Sequence, residues 1–374
     1  MGSSLRLFTV RGIAIRVHIT FPLIIIWAAL QFGYLNGGGV VGALFGIIVI
    51  ILLFLLVTLH ELGHSMAAMR YGVPVEQIVL LPIGGVAQLK RIPENPTQEL
   101  VIAIAGPAVN FGIAILLTAA AFAFGIQIDN PAAILAGLQR ITFESIFGYI
   151  FFYNIFLGVF NLLPAFPMDG GRVLRALLAT RLEYARATDI AVRIGRSLAW
   201  LLGLYGFLGG GFFMILIAFF IYMGAGQEGA AVRSRSILRG LVVAQAFSRN
   251  VQSLFPTDTL QAAVDLTLSG SQANFPVCDD GRLVGLLTYP TLVQALNQYG
   301  PAKVVSEVML TDVPSVSSGD GLFEVQQQFL TGQLDALPVV DDDSFLGLIT
   351  ARDLNEVFRL VTVDPDLLPR ANAD

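Results

Sequence analysis

The stretch LLFLLVTLHELGHSMAAM, residues 52–69, places two histidines at the end of a long apolar run. On a helix, His60 and His64 are four residues apart, so both imidazoles project from one face. This spacing suits two ligands of a tetrahedral zinc ion, with Glu61 beside them as a base for the water. The motif indicates either a metalloprotease working inside a membrane or a structural or transport metal site. Histidines that merely pack in a helix bundle are disfavoured, because polar groups inside a membrane are costly.

The composition is that of a membrane protein. Of the 374 residues, 55% are hydrophobic and 13% are charged, against roughly 25% charged in soluble domains. Since a span needs about 20 apolar residues, the uncharged runs and the glycine turns within them predict six spans. These are residues 18–35, 41–69, 98–124, 145–164, 188–206 and 208–225. The fifth contains Arg193 and Arg196 and is alternatively an interfacial amphipathic helix.

The distribution of charge predicts the orientation in the membrane. With a cytoplasmic N-terminus, nearly all arginines and lysines between the spans are cytoplasmic, and only Arg140 lies on the other side. We therefore predict a multi-pass protein of the cell (inner) membrane, with both termini cytoplasmic and the site toward the cytoplasm. The net charge of −5 gives no support for a nucleic-acid partner. A single cysteine, Cys278, excludes an internal disulfide and a cysteine-based zinc site.

A strand–turn–strand is predicted between the second and third spans. Residues 73–91 are rich in β-branched side chains around Pro82-Ile83-Gly84-Gly85. The edge of such a pair could take up an unwound peptide. An ordinary cytoplasmic hairpin is the alternative.

An amide side chain stands out in the third span, in the motif AGPAVN. Asn110 follows a Gly-Pro pair by three residues. It could hydrogen-bond a substrate carbonyl or an oxyanion, or it could bond a neighbouring helix. The residues alone leave both roles open.

The fourth span ends in NLLPAFPMDGG, residues 161–171. Pro164 and Pro167 cannot continue a regular helix, so we predict that the chain unwinds there. Asp169 then lies on irregular backbone near membrane depth, followed by permissive glycines. A carboxylate there is expensive when isolated but not when it binds a metal. We take Asp169 as the third metal ligand; the alternative is a surface turn residue before a basic helix.

Three motifs in this order, HELGH, AGPAVN and NLLPAFPMDGG, resemble the site-2 protease family of intramembrane zinc metalloproteases. The resemblance implies one catalytic Zn²⁺ held by His60, His64 and Asp169, with Glu61 activating the water. It also implies that Asn110 aligns the substrate, a membrane-spanning or membrane-anchored protein. The predicted strand pair is similar to the membrane-associated sheet of that family.

The C-terminal third contains an internal repeat with a constant offset of 62 residues. VQSLFPTDTL from position 251 aligns with VPSVSSGDGL from position 313. FPV at 275 aligns with LPV at 337, and GLLT at 285 aligns with GLIT at 347. A gapless register of this kind indicates duplication. Each copy predicts an extended segment, a helix, two strands around an Asp/Gly turn, and a second helix.

The repeat resembles paired cystathionine-beta-synthase (CBS) domains over about 240–361, through the ending PVVD…GLITxxD. Such pairs commonly bind ATP, ADP or AMP. By that resemblance Thr350 contacts phosphate and Asp353 contacts ribose. Thr288 is the matching threonine of the first copy, but Thr291 replaces the acidic residue there, so at most one cleft is fully equipped. A pair used only for dimerisation is the alternative, and a homodimer is compatible with the resemblance.

Together these features predict a polytopic α-helical membrane protein of about six transmembrane helices with a small membrane-associated β segment. A cytosolic α/β tandem CBS module follows. The predicted divisions are the protease domain, a juxtamembrane linker, two CBS domains and a tail, at 1–225, 226–239, 240–300, 303–361 and 362–374.

The expected function is an intramembrane zinc endopeptidase of regulated intramembrane proteolysis, regulated by adenine nucleotide. One alternative is a CBS-gated transporter or channel, although a pore does not need HELGH paired with MDGG. The other is a catalytically idle metal-binding scaffold, against which the intact Glu61 argues.

Overall fold

The structure, a computed structural model of the chain, describes residues 4–82, 84–89, 95–124, 143–270, 272–332, 334–364 and 367–368. The chain forms two compact units, Met1–Ala230 and Ala231–Asp374. The first unit contains the HELGH and MDGG motifs, and the second contains the internal repeat.

The described part of the first unit contains one small sheet and a set of mainly apolar helices. Its elements are β1 (Ser4–Val10), β2 (Ile13–His18), α1 (Pro22–Leu30, continued by a π-helix Gln31–Leu35), α2 (Gly39–Arg70), β3 (Val75–Leu81), β4 (Gly84–Leu89), α3 (Pro96–Phe124), α4 (Phe143–Asn161), α5 (Asp169–Ala179), α6 (Tyr184–Tyr205, continued by a π-helix Gly206–Gly210) and α7 (Phe212–Leu238).

The sheet has the order β1-β2-β3-β4, so β1 and β4 are its edges. Strands β1 and β2 form a hairpin across Arg11 and Gly12, whose φ angles are 49° and 88°. Strand β2 pairs parallel with β3, with Ala14 opposite Gln77, and β3 pairs antiparallel with β4. A parallel pair needs a crossover connection, and α1 and α2 supply it.

The strand–turn–strand predicted at 73–91 corresponds to β3 and β4, and Ile83 and 90–94 lie outside the described residues. The hairpin of β1 and β2 was not predicted. Its signal is the alternation in IAIRVH, in which Ile13 and Ile15 are buried while Ala14 and Arg16 are half-buried. Whether the sheet lies at a membrane stays a prediction.

The buried face of the sheet packs against α2. Ile13, Ile15, Ile78 and Leu80 form one apolar core with Phe54, which lies a little under two turns before His60 on α2. Removing apolar surface from water drives this contact, at about 25 cal/mol per Å². The sheet therefore anchors the helix that carries the HELGH motif.

Among the described residues, four helices are long and apolar enough to cross a membrane: Gly39–Arg70, Pro96–Phe124, Tyr184–Gly210 and Phe212–Leu238. The first and fourth predicted spans are instead occupied by shorter apolar helices, Pro22–Leu35 and Ser145–Asn161. The first helix is short because His18 ends β2 and residues 19–21 form a turn before the helix begins at Pro22. The last helix runs beyond the predicted span and through most of the predicted juxtamembrane linker.

The chain leaves helical geometry between α4 and α5, as the two prolines predict. The connecting loop packs Ala165 and Met168 against Ala199 of α6 and Ile221 of α7. Asp169 was predicted on irregular backbone, but it is the first residue of α5.

The second unit contains the two copies of the repeat, each with its own apolar core. Its helices and strands are α8 (Leu260–Ser269), β5 (Phe275–Asp279), β6 (Arg282–Leu287), α9 (Tyr289–Tyr299), α10 (Leu322–Gly332), β7 (Ala336–Asp341), β8 (Ser344–Thr350) and α11 (Ala351–Val363), with short 3₁₀ turns at Val243–Gln245 and Val305–Glu307.

The two copies exchange backbone pairs reciprocally. Ser248 of the first copy pairs with Leu348 of the second copy, while Leu310 of the second copy pairs with Leu286 of the first. These pairs are related by the same offset of 62 residues. The predicted order of helix, two strands and helix is present in both copies.

Candidate metal centre

The two histidines of HELGH lie on one face of α2, one turn apart. Their ring centroids are 4.7 Å apart with the planes at 83°. His60 is 3% exposed and His64 is 9% exposed. Asp169 approaches them from the start of α5, so two helices far apart in sequence meet at this point.

Three atoms converge at the centre of the site. The Nε2 atoms of His60 and His64 are 3.1 Å apart. The Oδ2 atom of Asp169 lies 3.2 Å from His60 Nε2 and 3.0 Å from His64 Nε2. Ligand atoms bound tetrahedrally to zinc at ~2.0–2.1 Å are separated by about 3.3 Å. The triangle thus has nearly the dimensions of three zinc ligands.

The hydrogen-bond partners assign the tautomers of the two rings. His64 Nδ1 lies 2.6 Å from the main-chain oxygen of Ile102, and His60 Nδ1 contacts the side-chain oxygen of Asn110. A carbonyl oxygen only accepts, so each Nδ1 carries the hydrogen and donates it. Both Nε2 atoms then present lone pairs to each other and to the carboxylate. Three acceptors that close together need a cation between them, and nitrogen and oxygen ligands fit zinc.

Two glycines allow α3 to approach α2 closely enough for this arrangement. A Cβ atom on Gly106 would lie 2.2 Å from His64 Nε2 and 2.8 Å from His60 Cε1. A Cβ on Gly63 would lie 2.8 Å from the main-chain oxygen of Ala105. The glycine of AGPAVN is therefore required by contact with the two histidines.

The two glycines after Asp169 have a related role. A Cβ on Gly170 would lie 2.2 Å from the oxygen of Leu163, and one on Gly171 would lie 2.6 Å from the nitrogen of Phe166. Both glycines are ordinary helical residues of α5. We predicted permissive glycines, but what they permit is contact between α5 and the preceding loop. That contact holds Asp169 in place.

Glu61 is half-buried beside the edge strand of the sheet. A Cβ on Gly85 of β4 would lie 2.9 Å from Glu61 Cγ and 3.0 Å from Val57 Cγ1. The backbone of β4 therefore runs directly against the glutamate.

Asn110 lies at the site, where both ends of its amide are hydrogen-bonded. Its oxygen faces His60, and its Nδ2 donates to Asn154 Oδ1 at 2.8 Å. Asn154 in turn donates to the main-chain oxygen of Asn110 at 2.6 Å. The sequence reasoning missed Asn154, although an amide inside a predicted span is a signal of function. The substrate-aligning role of Asn110 stays a prediction.

A second polar cluster, also missed, surrounds Arg175 on α5. Arg175 is fully buried and pairs with Glu99 of α3, and its Nη1 lies 2.6 Å from Glu228 Oε1 of α7. Its guanidinium also stacks on the rings of Phe166 and Tyr184, at 4.8 and 4.9 Å from their centroids. The cluster ties α3 and α7 to the helix that begins with Asp169.

The candidate nucleotide residues of the second unit lie at helix starts. Thr350 and Asp353 form a reciprocal capping box on α11: Thr350 N donates to Asp353 Oδ2 at 2.8 Å, and Asp353 N donates to Thr350 Oγ1 at 3.2 Å. Ser248 donates to the other carboxylate oxygen of Asp353 at 3.2 Å. In the first copy, Thr288 Oγ1 accepts from Thr291 N at 3.3 Å. Nucleotide contact by these residues stays a prediction.

Comparison with known proteins gives matches for both units. A model of peptidase family M50 matches residues 48–202, and the CBS domain model matches residues 243–298 and 305–366. A zinc metalloprotease of Methanocaldococcus jannaschii is 39% identical over 287 residues, which are 77% of this chain and 78% of that protein.

Two further matches extend the comparison. A relative from Synechocystis sp. is 28% identical over 361 residues, 91% of this chain and 91% of its own length. A solved structure, the site-2 protease from Methanocaldococcus jannaschii, is 42% identical. The match covers 60% of this chain and 95% of that chain, with a TM-score of 0.45.

Proposed function

The chain belongs to peptidase family M50, the site-2 protease family, and is a zinc metalloprotease joined to a pair of CBS domains; we propose that it is an endopeptidase that cleaves membrane-spanning or membrane-anchored proteins. The observation that carries this proposal is the triangle of acceptor atoms beside Glu61 on a helix long enough to cross a membrane. We place the reaction in regulated intramembrane proteolysis.

We assign His60, His64 and Asp169 as the ligands of one catalytic zinc ion. Zinc supplies Lewis-acid chemistry there, polarising the scissile carbonyl and making a water more acidic. Glu61, one residue from His60, takes a proton from the attacking water and returns it to the leaving amine. The half-buried position of Glu61 against β4 supports this role, because it keeps the carboxylate next to an open strand edge.

The substrate would bind as an added strand on β4. A transmembrane helix must unwind before its peptide bond can be attacked, and an unwound segment needs partners for its backbone groups. The edge strand β4 offers such groups immediately beside Glu61. Asn110 would align the substrate carbonyl from the opposite helix.

The topology we propose has about six membrane-crossing segments, with the two shorter apolar helices completing the four long ones. Both termini are cytoplasmic by the distribution of arginine and lysine. His64 lies close to the end of α2 at Arg70, which supports a site toward the cytoplasmic side in this topology.

For regulation, we propose that ATP, ADP or AMP binds the CBS pair at Thr350 and Asp353, with Thr288 as the matching residue of the first copy. The capping box leaves Thr350 and Asp353 at a helix N-terminus, which favours an anionic phosphate. Association of CBS pairs would make the protein a homodimer.

The decisive experiment replaces Glu61 with glutamine in the full chain, reconstituted in vesicles with a single-span reporter protein. Cleavage should fall below detection while one zinc per chain is retained, because only the proton-transfer group is removed. Glu183→Gln is the matched control, since Glu183 is exposed and its side chain caps no helix. Full cleavage by the Glu61→Gln protein would end the assignment.

A further inference from the structure

Two buried amides connect the metal centre to two further helices, α3 and α4. Asn110 on α3 and Asn154 on α4 are both 0% exposed. Each donates one hydrogen bond to the other residue, from Asn110 Nδ2 to Asn154 Oδ1 and from Asn154 Nδ2 to the main-chain oxygen of Asn110. The remaining oxygen of Asn110 faces His60 Nδ1.

The main-chain oxygen of Asn110 fixes the direction of the hydrogen bonds that run from Asn154 through Asn110 to His60. The main-chain oxygen of Asn110 only accepts, so the amide of Asn154 must point its NH₂ group there. Its oxygen then faces the side chain of Asn110, which must present NH₂ to it. That leaves the oxygen of Asn110 for His60, whose Nδ1 must carry the hydrogen.

The two histidines differ in how their tautomers are held. His64 donates to the main-chain oxygen of Ile102, which cannot be inverted because it belongs to a helix. His60 donates to a side-chain amide, which can rotate by half a turn and exchange its oxygen for NH₂. In that rotated state His60 would accept at Nδ1 and carry its hydrogen on Nε2, where it cannot bind a metal. An amide in this position needs a lock.

We propose that Asn154 is that lock, a positioning residue of the zinc site that acts through Asn110 to hold His60 in its metal-binding tautomer. The inference rests on the proposed role of His60 as a zinc ligand. It assigns to Asn154 a task independent of substrate, and it gives Asn110 a task besides the proposed alignment of substrate.

Zinc retention by the full chain against graded chelator tests the proposal without reference to activity. Asn154→Leu should weaken zinc binding about 10- to 100-fold, as expected when a group that orients a ligand is lost. Asn154→Asp still offers Asn110 an acceptor and should bind zinc more tightly than the leucine variant. Where the leucine variant does not fold, Asn154→Ala removes the amide without added bulk and replaces it in the comparison.

The sharpest arm is a suppressor. A carboxylate has no wrong orientation, so Asn110→Asp combined with Asn154→Leu should recover most of the lost zinc affinity. Zinc binding by Asn154→Leu equal to that of the wild type would overturn the proposal. Weak binding that Asn110→Asp does not recover would overturn it as well, because packing rather than orientation would then be the cause.

Two further measurements separate this inference from the assignment of the site. His60→Ala should lose zinc outright, and if it does not, the ligand assignment itself fails. The chain contains three histidines, so ¹⁵N-histidine spectra of zinc-free protein at alkaline pH can report each tautomer. Asn154→Leu should move one ring, His60, toward the Nε2–H form, and an unchanged spectrum contradicts the proposal.

Discussion

The two units treat their polar residues in opposite ways. Among the described residues, every buried polar or charged side chain except Thr288 belongs to the first unit. The first unit buries two of its histidines (His60 and His64), two of its asparagines (Asn110 and Asn154) and Arg175 in hydrogen-bonded groups. The second unit buries almost only apolar side chains, in one core per copy.

This difference predicts that polar groups matter for stability in the first unit and mainly for ligand binding in the second. A buried polar group costs stability unless it is paired, and losing one partner leaves the other exposed to that cost. Substitutions of buried polar residues in the first unit should therefore reduce its stability strongly. In the second unit the apolar cores hold the fold, so polar substitutions at helix starts should be mild and should act mainly on ligand binding.

The largest effect on stability should come from Arg175→Met. The change leaves Glu99 buried without its partner, and breaking a buried pair in this way costs about 3–5 kcal/mol. Thermal unfolding in detergent measures it. Arg186→Met, on an exposed residue of α6, is the control.

A second substitution, at Glu99, checks the cause of the expected loss of stability in Arg175→Met. Adding Glu99→Gln to Arg175→Met should recover part of the loss, because a neutral amide is less costly to bury than a carboxylate. A stable Arg175→Met protein would remove the contrast between the two units.

An effect of intermediate size is expected for Gly106→Ala. The added Cβ would lie 2.2 Å from His64 Nε2, so one ligand must move. A displacement of about 1 Å can cost on the order of 100-fold in rate, and zinc should be retained less well. Cleavage rate and zinc content per chain are the two measurements. Gly112→Ala on the same helix meets no atom within 4 Å and should leave both unchanged.

The smallest effect is expected for Thr350→Val in the second unit. It removes the hydroxyl half of the capping box on α11, at a cost of about 1 kcal/mol. Amide hydrogen exchange of the full chain should show faster exchange at residues 351–354. Thr288→Val should do less to α9, because Thr291 offers no carboxylate to complete the box.

The hydrogen-exchange comparison of wild type with Thr350→Val can be repeated in the presence of nucleotide. If AMP or ATP binds at Thr350, it should slow exchange at the start of α11 in the wild type and fail to do so in Thr350→Val. Protection by nucleotide that is identical in both proteins would exclude this cleft.

Much of the site could be predicted because its residues are chemically conspicuous. The two histidines of HELGH are four residues apart, which is the spacing of two metal ligands on a helix. A carboxylate among prolines near membrane depth has few roles other than binding a metal. The structure brings His60, His64 and Asp169 to within 4.8 Å of one another. The duplication in the second unit could be predicted because a constant offset requires no knowledge of contacts.

What the sequence could not supply are the partners of residues far apart in the chain. Arg175 lies in the basic helix that follows Asp169 in the sequence, and only the fold brings Glu99 and Glu228 to it. The role of Gly106 depends on how closely α3 approaches two rings, which no local pattern encodes. The number of membrane spans stays a prediction, because two of the six predicted spans are occupied by shorter apolar helices.

The parallel pairing of β2 with β3 also dictates an order of assembly. Residues 4–18 are synthesised before α2, yet β2 completes its ladder only when Gln77 to Leu80 have emerged. Until then β1 and β2 are a lone hairpin, which is marginal in water. The sheet can therefore be completed only after α2 has been synthesised, and a nascent chain stalled before residue 75 contains HELGH without β3 and β4.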